Sequence, residues 1–281
     1  FPTREINFGG ISVMMPGAGL GVLGAALGTV AAECVVASLM IWYLVRRQPD
    51  LCLKGEEAYK SYRPTKAVLM KGAKIAVPMT AEHVIFCGAQ ITITTIVAPL
   101  GKVAIAANAF AVTAESLCYL PGFGIGEAAT TLCGQSYGAG RHDLVKRFCH
   151  LTTYLGIAVM TVMALIMYVC APVMMEIMTP VSAISELGAE VLRIEAWAEP
   201  MYAASIVAYG AFVGVGDTMI PAIMNFGSIW LVRIPLAAVM APVMGLRGVW
   251  IAMCAELIFR GLIFLWRMYG GKWLKTKPDL A

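Results

Sequence analysis

Seven apolar runs, each long enough to cross a bilayer, constrain this chain more than any motif in it. They are Gly21–Val45, Ile75–Val97, Val103–Cys133, Cys149–Ala171, Ala189–Val213, Ile220–Val243 and Gly248–Met268. A helix needs about 20 predominantly apolar residues to span the hydrocarbon core. Inside that core every backbone polar group must be bonded within the protein, which leaves helices as the economical solution for runs of this kind. The expected fold class is an all-α polytopic membrane protein with about seven transmembrane helices. Composition agrees: 59% of the 281 residues are hydrophobic and 14% charged, where soluble domains carry about 25% charged residues.

The formal charge of +4 is not a nucleic-acid footprint, because the cations are localised. Eight Lys and Arg lie between Arg46 and Lys74, three between Arg141 and Arg147, and four between Arg267 and Lys277, or fifteen of the 21. Basic residues concentrate in cytoplasmic segments. Placing Arg46–Lys74 inside and alternating along the chain puts all three clusters on the same side, with the acidic stretch of Glu176, Glu186 and Glu190 outside. The expected topology therefore has residue 1 outside and the C-terminus cytoplasmic. The expected domains are residues 1–45, a polar outside loop and one helix; 46–74, a basic cytoplasmic linker; 75–270, a six-helix lobe; and 271–281, a cytoplasmic tail. With Phe1 first and a similarity between LGVLGAALGT at Leu20–Thr29 and MGLRGVWIAM at Met244–Met253, the chain reads as the last helix of one lobe followed by a complete second lobe, with about five helices upstream. The eight cysteines form no CxxC and no metal-ligand spacing, so they read as small apolar packing groups.

Several segments, in order, resemble the multidrug and toxic compound extrusion (MATE) transporters, particularly the bacterial members. They are LGVLGAALGT; PMTAE at Pro78–Glu82; APLGKVAIAANAF at Ala98–Phe110; PGFGIGEAATTLCGQSYGAGR at Pro121–Arg141; AEPMYAASIVAYG at Ala198–Gly210; and GVGDTMIPAIMNFGSIWLVRIPLA at Gly214–Ala237. The resemblance implies a twelve-helix fold of two six-helix lobes, of which this chain would carry helices six to twelve. It implies a secondary antiporter in the bacterial inner (plasma) membrane rather than an enzyme. Such a protein exports organic, cationic, drug-like compounds by alternating access, in exchange for protons or sodium ions and without another cofactor or a bound metal. The structural motif residues are Pro78, Pro121, Gly134, Gln135, Gly138, Gly216 and Asp217. Two positions depart from the pattern. Asn108-Ala109 stands where bacterial relatives often have His-Gln, and Glu82 lies one helical turn after Pro78, whereas other branches place the acid at the position of Phe86.

An ionised carboxylate at mid-membrane costs about 2.5–3.5 kcal/mol on insertion scales, so such residues are functional candidates. Glu82 leads: it follows Pro78 by four residues, and the proline frees a carbonyl beside it. Carboxylate and carbonyl together suit a proton or a hard cation. Glu195 and Glu199 share a helix face four residues apart, with Pro200 expected to kink the helix directly after them. Charge repulsion between the two suits a proton-coupled step, and Glu199 is the favoured member. Glu115, seven residues after Asn108, lies on nearly the same face. Glu82, Glu199 and Glu115 are the expected coupling residues, and Asn108, Glu195, Asn225 and Arg233 the expected cavity or substrate residues. Arg233 either holds a carboxylate such as Glu199 or snorkels outward. Glu256 and Arg260 read as an i, i+4 pair, Glu127 as a partner for Arg141 or Lys146, and Asp217 as a helix cap after the tight Gly214–Gly216 turn.

Three other readings fit parts of the pattern. A lipid-linked oligosaccharide flippase would need a basic cavity, whereas the intramembrane charges here are mostly acidic. The helix count alone permits a seven-helix receptor or retinal protein, but a retinal protein would need a lysine inside a helix, and the lysines cluster in polar segments or at helix ends. Without the upstream lobe, the chain alone is expected to be inactive in transport.

Overall fold

The computed structural model describes residues 4–8, 11–15, 21–47, 65–271 and 273–274. The chain divides into two compact units, Phe1–Leu69 and Met70–Ala281. The division falls within the stretch read as a linker, most of which lies outside the described residues.

In the first unit, strands β1 (Arg4–Phe8) and β2 (Ile11–Met15) pair antiparallel, Arg4 opposite Met15 and Phe8 opposite Ile11. Helix α1 (Gly21–Arg47) follows, with a mean hydropathy of 1.7 across its apolar stretch. The hairpin corrects the expectation of an irregular polar loop. REINF alternates polar and apolar residues, and Gly9-Gly10 separates it from a second β-favouring run, which is the ordinary hairpin signal.

Helix α2 (Lys66–Val97) begins at the end of the first unit and continues into the second. It therefore starts nine residues earlier than the apolar run did. Three cations in its first turns (Lys66, Lys71 and Lys74) make helical sequence read as linker. After a 3-10 turn at Ala98–Leu100 come α3 (Lys102–Gly138), α4 (His142–Met178), α5 (Ser182–Glu195) and α6 (Glu199–Gly214). Then α7 (Met219–Ser228), a π-helical turn (Ile229–Arg233) and α8 (Ile234–Met244) form one continuous span, and α9 (Leu246–Gly270) closes the bundle.

Six helices among the described residues are long and apolar enough to cross a membrane. The seventh expected run, Ala189–Val213, is instead two helices of 14 and 16 residues, broken at Ala196–Ala198. Pro200 explains the break: it has no N–H for the Ala196 carbonyl, and its ring clashes with that turn. Local bonds take over, with the Ala198 N–H donating to the Glu195 carbonyl at 2.8 Å. Pro235 acts similarly at the π turn, where the missing N–H shifts the ladder to the wider register in which the Ile234 N–H bonds the Ile229 carbonyl.

Two apolar cores fill the bundle. One joins the start of α3, the far half of α4, α5, α8 and the start of α9, around Ala107, Met167, Leu192 and Trp250. The other joins the end of α3, the start of α4, α6 and the end of α9, around Cys133, Val207, Phe212 and Phe264. Small residues set the spacing between helices, as lipid-embedded packing requires. A Cβ at Gly210 would strike the Gly126 carbonyl, one at Gly214 the Thr130 carbonyl, and one at Gly134 would lie 3.0 Å from the Gly214 oxygen. The Thr130 hydroxyl donates to the Gly210 carbonyl at 2.9 Å across the same seam. Outward faces stay apolar and exposed, for example Val169, Leu231, Val243 and Trp266. In a membrane these meet lipid.

Candidate functional site

The level between the two apolar cores is where the bundle keeps its buried charge. Glu195, Glu199 and Glu256 are fully buried, and Glu115, Arg233 and Arg260 nearly so. Beside this layer opens a cavity of about 510 Å³ between α2, α3, α6, α7 and α9.

Glu82 stands on the cavity wall. Its carboxylate accepts a hydrogen bond from the Tyr209 hydroxyl on one oxygen and from the Asn225 amide nitrogen on the other, both at 2.6 Å. Three helices, α2, α6 and α7, thus converge on one carboxylate. Further polar groups on the wall are His83, Glu127, Thr130, Tyr202, Ser205 and Arg260, while Met79, Phe86, Phe123 and Phe226 supply apolar and aromatic surface. This mixture can hold an organic cation: aromatic faces and thioether groups accept an apolar body, and carboxylates balance its charge.

The positions of the other expected residues are now definite. Asn225 lines the cavity. Asn108 lies elsewhere, its side-chain oxygen accepting from the Trp250 indole at 3.0 Å. Arg233 holds a carboxylate, but that of Glu256 at 2.7 Å rather than Glu199. Glu256 also takes Arg260 at 3.1 Å and a hydrogen bond from the Ser228 hydroxyl. The i, i+4 pair read from the sequence is therefore one arm of a four-residue network. Glu127 is on the cavity wall and not in an ion pair with Arg141, which pairs with Asp143 at 3.3 Å. Asp217 is not the cap of α7. Thr218 holds that position without a side-chain bond, and the Asp217 carboxylate binds Arg267 of α9. A charged partner fifty residues away outcompetes a backbone N–H for the same oxygens.

Glu195 and Glu199 flank the helix break. No nitrogen or oxygen donor reaches any of their four carboxyl oxygens, and the Cys118 thiol lies beside Glu199. Among the motif residues, position 78 is helical within α2 and Pro121 sits inside α3. Gly134 packs on Gly214, and the Gln135 carbonyl accepts from the Ala139 N–H at 3.0 Å where α3 ends at Gly138. Gly216 has φ +83, a turn conformation that suits glycine.

Tyr202, Ser205 and Tyr209 were not expected. Their signal was present: spacings of three and four residues put one polar stripe on α6, which is apolar elsewhere after Glu199.

A bundle of long apolar helices around a charged cavity defines a membrane protein of the polytopic class. The family model of MatE matches residues 78–239, more than half of the chain, and the chain belongs to this family, the MATE transporters. A probable multidrug resistance protein NorM of Thermotoga maritima is 29% identical over 258 residues, which cover 91% of this chain and 54% of that protein. Multidrug resistance protein MdtK of Yersinia pestis is 23% identical, over 92% of this chain and 57% of its own length. The chain spans about half the length of the curated relatives it matches. In fold it resembles an outward-facing multidrug resistance MATE family transporter of the MOP superfamily, with TM-score 0.77 and 20% identity over 90% of this chain and 58% of that one. A MATE in the straight conformation gives TM-score 0.76 and 19% identity, over 91% and 58%.

Proposed function

We propose that this chain is the substrate- and ion-binding half of an exporter of organic, cationic, drug-like compounds, driven by protons or sodium ions moving the opposite way. The observation that carries the reading is the Glu82 carboxylate on the wall of an aromatic and polar cavity, bonded by Tyr209 and Asn225 from two other helices. Membership of the MatE family and the likeness to proteins named for multidrug resistance support the substrate class.

The geometry supports a simple route for coupling. Glu82 ties α2 to α6 and α7. A proton or sodium ion arriving at its oxygens competes with the Tyr209 and Asn225 donors, and an organic cation competes for the same negative charge. One carboxylate thus links ion occupancy, substrate occupancy and the hold between three helices. Alternating access needs such a link, because a ligand shifts a conformational equilibrium only by its differential affinity for the two states. Glu199 and Glu115 lie behind the cavity wall, so their part in coupling is indirect. A second set of upstream helices completes the transport path, in keeping with the share of the relatives that this chain spans. The protein sits in the bacterial plasma membrane, with its basic loops and C-terminus cytoplasmic.

Cells making the complete protein, this chain with its upstream helices, should retain less ethidium or norfloxacin than control cells. Glu82→Gln should return retention to the control level at equal protein in the membrane. Undiminished export by that variant would remove Glu82 from the mechanism, and a complete protein that leaves retention unchanged would refute the export reading.

A further inference from the structure

At the end of the bundle that carries the Arg141–Arg147 cluster, α4 and α9 meet along a seam that faces outward. The Tyr154 and Tyr269 hydroxyls hydrogen-bond to each other across it. The His150 ring stacks on Tyr154 with centroids 6.4 Å apart, and lies tilted against Tyr269 at 5.2 Å. Both tyrosines are exposed, and so are Lys146 and Arg147 on the same face of α4. On the mid-span side of the tyrosines the seam is walled by exposed Leu155, Leu262 and Trp266. Aromatic rings with apolar side chains on one side and cations on the other mark the boundary of the hydrocarbon core.

Depth decides what this face can meet. At 1.5 Å of rise per residue, His150 lies about 6 Å beyond Tyr154 along α4 and Arg147 about 10 Å beyond it. The headgroup layer is about 5–7 Å thick on each side of the core. His150 therefore stands at the level of lipid phosphates, with Lys146 and Arg147 within side-chain reach of them. The donors at this level are unspent. The tyrosine pair uses one of its two hydroxyl protons and keeps the other. Among the described residues no hydrogen bond reaches the His150 ring nitrogens, and neither the Lys146 nor the Arg147 side chain has a partner. At this end of the bundle Asp143 is taken by Arg141 at 3.3 Å, and Asp217 by Arg267. Four donor groups, two of them cations, thus face outward without an acid to satisfy them, which is the complement of a phosphate. The apolar walls beside them require that the phosphate carry a hydrocarbon body.

We propose that the α4–α9 seam is a binding site for an anionic glycerophospholipid. His150, the free tyrosine proton, Lys146 and Arg147 hold its phosphate, and an acyl chain lies along Leu155, Leu262 and Trp266. Each cation near a membrane surface favours an anionic lipid by about fivefold, and hydrogen bonds from the His–Tyr cluster turn that attraction into a site. Bound there, the lipid bridges α4 and α9 at the end where Arg267 clasps the turn before α7. The site shares no residue with the wall of the Glu82 cavity. It rests on the chain's place in a membrane and not on the export reading.

Trp266 reports on the seam, because it is 79% exposed and one helical turn from Tyr269. The complete protein, this chain with its upstream helices, is reconstituted in phosphatidylcholine vesicles containing brominated phosphatidylglycerol or, in a parallel set, brominated phosphatidylcholine. The Trp266 signal is the fluorescence of the natural protein minus that of Trp266→Phe. The brominated anionic lipid should quench it at a mole fraction about fivefold lower or less than the zwitterionic one, and a preference should persist in high salt, where diffuse attraction is screened. Arg147→Gln should reduce the preference about fivefold. His150→Phe, which keeps a stacked ring and removes its N–H, should abolish the part that survives salt. Equal quenching by the two lipids overturns the proposal, as does a preference that high salt removes or that both variants leave intact. Quenching by neither lipid means that protein covers the seam, and reversal by millimolar inorganic phosphate means a site for a soluble anion; each overturns it too. Should a variant fail to insert, the two lipids compared in the natural protein still decide.

Discussion

Glu256 is the side chain on which the buried charge layer turns. It receives Arg233, Arg260 and the Ser228 hydroxyl, from the π turn, its own helix and the end of α7. Glu256→Gln leaves two buried guanidiniums facing a neutral amide. Removing one partner of a buried ion pair costs about 3–5 kcal/mol, so this variant should melt well below the natural chain in detergent. The measurement is a thermal unfolding curve followed by circular dichroism, and a variant that melts with the natural chain would show that the network adds nothing to stability. Tyr209→Phe removes one of the two donors to Glu82, and in the complete protein it should weaken export without the full loss expected of E82Q. The sequence made Glu82, Glu195, Glu199, Glu115 and Glu256 legible as candidates, because a carboxylate in an apolar run is conspicuous. It did not make their partners legible. Whether Arg233 reaches Glu199 or Glu256 depends on how α7, α8 and α9 pack, and Tyr209 is an unremarkable residue until the bundle turns it toward Glu82.

At the scale of elements, prolines and glycines decide what apolar runs become. Six of the seven expected runs fall on helices long and apolar enough to cross a membrane, since hydrophobic length is a local property. The kink expected at Pro200 is a full break into α5 and α6, because a helix end at mid-bundle is tolerated where neighbouring helices cover it. The Asp217 cap failed as a reading for the opposite reason: Arg267 is remote in sequence and near in space. The seam between α3 and α6 depends on bare backbone contact at Gly210 and Gly214. Gly214→Val should therefore push the two helices apart, at a cost of about 1–3 kcal/mol as overpacking usually brings. Gly138→Ala, at a helix end with open space around it, should be neutral. Comparing the two melting temperatures checks the claim, and equal values would mean that the seam is softer than its geometry.

For the whole molecule, the placement of basic residues predicts an orientation, with the Arg141–Arg147 stretch cytoplasmic and Lys102 outside. A single cysteine introduced at Arg141 in a background without native cysteines should react with a membrane-impermeant maleimide only in inverted vesicles. A cysteine at Lys102 should react only in intact cells. The reverse pattern would invert the topology and move the opening of the Glu82 cavity to the other side. The chain spans about half the length of the multidrug resistance proteins it matches, and the export proposed above is a proposal about the complete protein, this chain with its upstream helices. The most direct test of the central claim uses that complete protein in liposomes, following ethidium movement under an imposed proton or sodium gradient. The account predicts gradient-driven movement that Glu82→Gln abolishes. Movement that ignores both gradients, or that persists in E82Q, would contradict it.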